Sequence, residues 1–170
     1  PERISDRERA LRDIRTIREL SEELAVSVRE FVLGAADAMI EQSGFTSVTD
    51  LLDRGIQSVS RIHPGARISQ SLEPRARGVL VDRGLAPVLT NLLDNALRAS
   101  PPLSPVHVFA TTCGGQLRLS IADRGPGMSR EERVRAFEPG FSTRRDGEGC
   151  GIGLAICREI IRGQGGSLEL

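Results

Sequence analysis

Tryptophan and tyrosine are absent from this chain, and phenylalanine occurs five times. Almost no ring is therefore available to stack on nucleic-acid bases. An excess of one charge is missing too, since 23 basic residues are matched by 23 acidic ones. That balance argues against a nucleic-acid binder held by phosphate neutralisation. No apolar run approaches the roughly 20 residues of a membrane span, and the N-terminus is charged rather than signal-like. The sequence reads as a soluble, cytoplasmic piece, with membrane attachment expected only through segments outside it. Cysteine is scarce: Cys113, Cys150 and Cys157 have no His, Asp or Cys near them at metal-ligand spacing. Reduced thiols are the expectation. Cys150, set among glycines, is more simply a loop thiol than a redox switch. Histidine occurs twice. His63 precedes Pro64-Gly65, where a helix gives way to a loop, and reads as a surface residue. His107 sits in alternating Val106-His107-Val108, a strand pattern that turns it to solvent or a sheet edge. Neither has a nucleophile or carboxylate nearby in sequence, so neither is assigned catalysis.

What is present is 170 residues with 39% apolar content, enough for one globular domain and an attached element. From about Asp6 to Gln42, Ile14, Ile17, Leu24, Val28, Phe31, Ala35 and Ala38 recur at three- and four-residue spacings. This predicts one long amphipathic helix packed in a hairpin or dimer. Ser43-Gly44 ends it, which divides the chain into a helical segment, residues 1–43, and a second unit, residues 44–170. In the second unit Phe45 to Val48 reads as a short edge strand, and Ser47 or Thr49 can cap a helix running to about Ile62. Arg67 to Leu72 and Gly78 to Val81 read as strands. Val106 to Thr111 and Gln116 to Asp123 flank Cys113-Gly114-Gly115 as a hairpin. Ser129 and Glu132 have capping-box spacing for a short helix through Phe137, and Ile152 to Ile161 is an apolar helix.

One stretch organises the unit. Read at 3.6 residues per turn, Leu85, Val88, Leu89, Leu92, Leu93 and Ala96 form a broad apolar face. Pro87 is tolerated in the first turn, where its missing N–H has no intrahelical partner. Asn91, Asn95 and Arg98 fall on one narrow stripe beside that face. Asparagine prefers caps and turns, so two of them one turn apart suggest a task for their amides. A carboxamide oxygen is a hard, neutral ligand that suits Mg²⁺, and a guanidinium suits phosphate. Downstream, Asp123 ends a strand and is followed by Gly125 and Gly127. Glycines admit a flat ligand close to the backbone, and a fixed carboxylate accepts a hydrogen bond from an amine such as adenine N6. Gly147 to Gly153 is glycine-rich and opens directly onto a helix, whose N-terminal N–H groups and dipole favour phosphate. It is not a Walker loop, since no Lys-Ser/Thr pair ends it.

The order Asn91-x-x-x-Asn95, Asp123-x-Gly125-x-Gly127, Phe137-Glu138-Pro139-Gly140-Phe141-Ser142-Thr143 and Gly149-x-Gly151-x-Gly153-Leu154-Ala155 resembles the ATP-binding domain of sensor histidine kinases. That family belongs to the wider group of DNA gyrase B, Hsp90 and MutL. The resemblance covers about Phe45 to Leu170 and implies an α/β two-layer sandwich, with helices on one face of a mixed sheet and ATP under a lid. It implies that Asn95 holds Mg²⁺ bridging the phosphates and that Arg98 contacts them. Asp123 would read adenine N6, with Ala99 and Met128 near the base and Gly125 and Gly127 giving it room. Phe137 and Phe141 would anchor the lid. Gly149, Gly151, Gly153 and Leu154 would fold over the triphosphate, with Arg144 or Arg145 as a further phosphate contact. Asn91, grouped with Asn95 as catalytic, sits where gyrase-type hydrolases carry a water-activating glutamate. An amide cannot serve as that base, which favours phosphoryl transfer over hydrolysis.

The resemblance also has departures. No histidine precedes His63, so the phosphate-accepting histidine is expected outside this chain, on a helix upstream of Pro1. Residues 6–42 then resemble the second helix of the family's dimerisation hairpin. Gly165 to Leu170 ends in what looks like a strand where the family continues into another. Cys150 stands where the family often has Thr. The implied partners are a second copy of the chain through the helical segment and a response regulator receiver domain. The alternatives are an anti-sigma-type serine kinase of the same fold, or a degenerate nucleotide-binding scaffold or phosphatase partner.

Overall fold

The computed structural model describes residues 44–142 and 151–170. The helix expected over residues 6–42 lies outside the described residues. In chain order the elements are β1 (Phe45–Ser47), α1 (Val48–Ile62), β2 (Arg67–Leu72), β3 (Leu80–Asp82), a 3₁₀ turn (Arg83–Leu85) and α2 (Ala86–Ala99). There follow β4 (Pro105–Cys113), β5 (Gln116–Ala122), α3 (Arg130–Arg135) and α4 (Gly153–Gly163).

Ser47 caps α1: its backbone is extended and its Oγ accepts the Asp50 N–H at 3.1 Å. Thr49, the other residue suited to that role, instead donates its hydroxyl to the Arg77 carbonyl at 3.1 Å. Val48, Leu51, Leu52, Gly55 and Val59 are the buried positions of α1, one stripe at helical spacing. At Gly55 α2 packs directly on the backbone of α1, because a Cβ there would lie 2.5 Å from Leu89 Cδ2. On α2 the buried positions are Val88, Leu89, Leu93 and Ala96, while Leu92 is only half-buried.

Both helices cover one face of a three-stranded sheet of order β2-β4-β5. β2 is parallel to β4 and β4 antiparallel to β5, so the sheet is mixed, and α2 lies within the long connection that a parallel pair requires. Val106, Val108 and Ala110 of β4 are fully buried beneath the helices. The opposite face carries Ser69, His107 and Phe109; His107 Nδ1 lies 2.5 Å from Ser69 Oγ, and Phe109 is exposed. This is the two-layer α/β sandwich expected, with helices on one face. One refinement concerns β1 and β3, which pair with each other as a separate antiparallel ladder. The β4–β5 hairpin turns through Gly114 (φ +59°) and Gly115 (φ +77°), the two left-handed positions of a type I′ turn.

The C-terminal strand expectation needs correction. α4 ends at Gly163, and the chain turns off it at Gly165 (φ +77°), with Gly165 N–H donating to Arg162 O and Gly166 N–H to Ile161 O, both at 2.9 Å. Residues 167–170 then run without a ladder partner among the described residues, and alternation without a neighbouring strand does not make a sheet.

Glu73, just after β2, pins the sheet to the far end of β4. Its Oε2 accepts the Thr112 N–H at 2.8 Å and the Thr112 hydroxyl at 3.2 Å. The backbone bond from Thr112, then its hydroxyl, holds the carboxyl below the usual carboxylate range. A carboxylate with a depressed folded-state pKa contributes stability that is present above its unfolded pKa and lost as pH falls through the folded value. Urea midpoints measured from pH 7 down to pH 3 are therefore expected to fall less steeply for Glu73→Gln than for the unsubstituted chain. Parallel profiles would assign the acid lability elsewhere.

Candidate functional site

The polar edge of α2 faces the start of α4. Asn95 Nδ2 donates to Asn91 Oδ1 at 2.7 Å, an i to i+4 bond that ties the two amides into one unit. A carboxamide binds a hard cation through its oxygen, so the Asn95 carbonyl is the candidate ligand atom of this pair. At Gly153, the first residue of α4, a Cβ would lie 2.6 Å from Asn91 Nδ2. Only glycine lets the N-terminus of α4 sit directly on the asparagine unit. Cys157, one turn further along α4, is buried with its thiol 4.0 Å from the Val88 carbonyl, and burial pushes that thiol up to about 12. It anchors the two helices together and stays protonated at neutral pH.

The strand end carrying Asp123 meets the other end of α2. Gly125 packs so closely that a Cβ there would lie 2.9 Å from the Ala99 carbonyl and 3.0 Å from Ala99 Cβ. Arg124 N–H donates to Ser100 Oγ at 3.1 Å. Asp123 Oδ1 accepts the Gly125 N–H at 2.7 Å, which fixes the carboxylate while leaving the residue exposed. Gly127 has φ +71°, and Met128 beside it is exposed. Asn91, Asn95, Ala99 and the Asp123 turn thus lie along one helix of 14 residues.

Phe137 and Phe141 frame the segment between α3 and α4. Arg158 of α4 lies 4.9 Å from the Phe137 ring centroid and donates through Nη2 to the Phe137 carbonyl at 3.2 Å. Arg135 lies 4.5 Å from the Phe141 ring centroid. Gly140 N–H donates to Gly151 O at 3.2 Å, and a Cβ on Gly151 (φ +63°) would lie 2.5 Å from the Phe141 carbonyl. The two ends of the segment therefore touch. Leu154, in the first turn of α4, is half-buried. Arg144, Arg145, Gly149 and Cys150 lie outside the described residues. Arg98 directs its Nε to Asp94 Oδ2 at 2.8 Å.

Sequence reasoning missed Asp94 and His63. His63 is half-buried, not a free surface residue, with Nε2 2.5 Å from Asp94 Oδ1. The signal was present only as an acidic residue between two asparagines on α2; a partner 31 positions away is invisible to local pattern. A separate depression of about 400 Å³ is lined by Thr49, Gln70, Ser71, Leu72 and Arg77, and shares no residue with the polar edge of α2, the Asp123 turn or the start of α4.

Among the described residues no group of three His, Cys, Asp or Glu side chains could hold a metal ion by itself. That donor set fits a Mg²⁺ ion that arrives with phosphates and keeps water, for which one amide oxygen suffices, and it does not fit an all-protein cage. No helix among the described residues is long and apolar enough to cross a membrane.

A mixed sheet with helices on one face, an amide pair against a glycine-opened helix and a carboxylate at a strand end define an ATP-binding α/β domain. The family described as histidine kinase-, DNA gyrase B- and HSP90-like ATPase matches residues 81–170, and the chain belongs to it. It is 33% identical over 127 residues to the signal transduction histidine-protein kinase/phosphatase MprB of Mycolicibacterium vanbaalenii, a match covering 72% of this chain and 26% of that protein. Among solved structures, a mycobacterial sensor histidine kinase MprB superposes with a TM-score of 0.66 at 32% identity, covering 74% of this chain and 83% of that one. Full-length ShkA in complex with AMPPNP superposes with a TM-score of 0.66 at 29% identity, covering 85% of this chain and 32% of that one. The match covers 26% and 21% of the length of two curated relatives and 14% of a third.

Proposed function

We propose that this chain is the ATP-binding catalytic module of a cytoplasmic two-component sensor histidine kinase, with residues 1–43 as part of its dimerisation hairpin. It passes the ATP γ-phosphoryl group to a histidine outside the chain, for relay to an aspartate of a response regulator. The observation that carries this reading is the Asn91–Asn95 unit lying against the N-terminus of α4, with the Asp123 turn packed on the same helix two turns further on. Its support from relatives is that they are named histidine kinases and that one was solved with an ATP analogue.

Each group has a physical task. Asp123, fixed by Gly125, accepts the adenine amine; Gly125 lets the turn close onto Ala99, and Gly127, with open space beside it, leaves room for the flat base. Asn95 presents its carbonyl oxygen to Mg²⁺, which when bound offsets charge on the phosphates. Asn91 holds the Asn95 amide in place and bonds to phosphate-bound water or oxygen. Arg98 and the N–H groups opening α4 receive phosphate oxygens. Neither asparagine can deprotonate water, since an amide lacks a basic site. Catalysis therefore rests on positioning and charge compensation, and the phosphoryl group awaits an incoming imidazole.

The test is transfer of label from γ-³²P-ATP with Mg²⁺ in the parent polypeptide containing the upstream helix. Acid-labile, alkali-stable label on histidine is the expected result. Label on a serine of a partner protein would replace this reading with an anti-sigma-type kinase, and no label despite nucleotide binding would make it a scaffold.

A further inference from the structure

His63 closes α1 with its backbone held on both sides. Its N–H donates to Val59 O at 2.9 Å and its carbonyl accepts from Ala66 N–H at 3.0 Å. From that fixed base the ring crosses to α2, placing Nε2 2.5 Å from Asp94 Oδ1. The second oxygen of Asp94 accepts from Arg98 Nε at 2.8 Å. One carboxylate thus links the end of α1 to an arginine on the nucleotide-facing edge of α2. The side chains of His63 and Asp94 are about three-quarters buried, at 25% and 27% exposure, whereas Arg98 is 41% exposed. Among the described residues the terminal nitrogens of Arg98 have no hydrogen-bond partner.

We propose that Asp94 and His63 are positioning residues that aim the Arg98 guanidinium at the phosphates of the bound nucleoside triphosphate. The proposal rests on the reading of Arg98 given above. An unrestrained arginine loses side-chain entropy when it grips a phosphate, and a guanidinium already held at Nε loses less. His63 fixes the carboxylate, the carboxylate fixes Nε, and the two terminal nitrogens remain as a fork for an oxyanion.

Electrostatics alone predicts the opposite of positioning, which makes the test sharp. Removing the Asp94 carboxylate takes a negative charge away from a phosphate site and by Coulomb attraction would tighten binding. Mg-ATP affinity is measured by calorimetry on the full chain, unsubstituted and carrying Arg98→Ala, Asp94→Ala or His63→Ala, together with each of the last two combined with Arg98→Ala. Arg98→Ala is expected to weaken binding about tenfold. Asp94→Ala and His63→Ala are each expected to weaken it about three- to fivefold, and to have no further effect once Arg98 is gone. His63→Ala leaves Asp94 and Arg98 charged, so it reports alignment if Asp94→Ala disturbs folding. Unchanged or tighter binding in both variants, or a loss that persists without Arg98, overturns the proposal while the nucleotide site stands. An unsubstituted chain that takes up no Mg-ATP overturns the site reading and this proposal together.

Discussion

Asn95→Ala is expected to weaken Mg-ATP binding about a hundredfold or more while the protein melts within about 1 kcal/mol of its original stability. Two features combine in that expectation. Asn95 is half-buried on the polar edge of α2 and is not part of the core, so its removal opens no cavity. Its bond to Asn91 is one of its side-chain contacts, a pair along a single helix, and alanine's better helix propensity offsets part of what the substitution removes. The affinity loss is large because one carbonyl oxygen is asked to hold the ion between protein and phosphates, with no carboxylate cluster among the described residues to replace it. A calorimetric titration paired with a thermal melt checks both halves. Undiminished affinity would remove the metal assignment from Asn95.

Leu93→Ala should do the reverse. Leu93 lies two residues earlier on the same helix, turned by roughly 200° to the opposite side, and has no exposed surface. It belongs to the buried cluster with Leu52, Leu89 and Val106. Truncating such a leucine costs about 2–5 kcal/mol, the spread reflecting how far neighbours close the cavity. The urea midpoint should fall accordingly. Nucleotide supplied at a hundredfold over its dissociation constant should return about 2.7 kcal/mol, because a ligand that binds only the folded state stabilises it by mass action. A loss under about 1 kcal/mol would mean that α2 does not depend on this side chain for its seat on the sheet.

These two substitutions also show what the sequence could and could not reveal. The division of α2 into an apolar face and an asparagine edge is a matter of 3.6-residue periodicity, and the burial of Val88, Leu89, Leu93 and Ala96 follows it. Strand alternation in β4, the two left-handed glycines of the hairpin and the Ser129–Glu132 capping box are equally local. Each was legible because neighbours in sequence decide it. Leu92 shows the limit: periodicity alone placed it on the apolar face, yet what it packs against depends on elements far away in the chain. The His63–Asp94 contact was hidden for the same reason. The pairing of β1 with β3 instead of with the main sheet is likewise a property of assembly. In the C-terminal residues an alternating pattern found no neighbouring strand to complete it. For the proposed nucleotide site, the sequence offers the residue types and their order, while the close approach of Gly153 to Asn91 and of Gly125 to Ala99 belongs to the packed helices.

The pinch at Gly140 and Gly151 has a consequence for how this domain tolerates change. A strand of chain that leaves and rejoins a scaffold at one sealed neck can be lengthened, shortened or rewritten between those points without shifting the scaffold. Doubling the number of residues in such a span costs only about 0.6 kcal/mol in closure entropy. Insertions or deletions between Gly140 and Gly151 are thus expected to leave the seat of α4 on α2 unchanged.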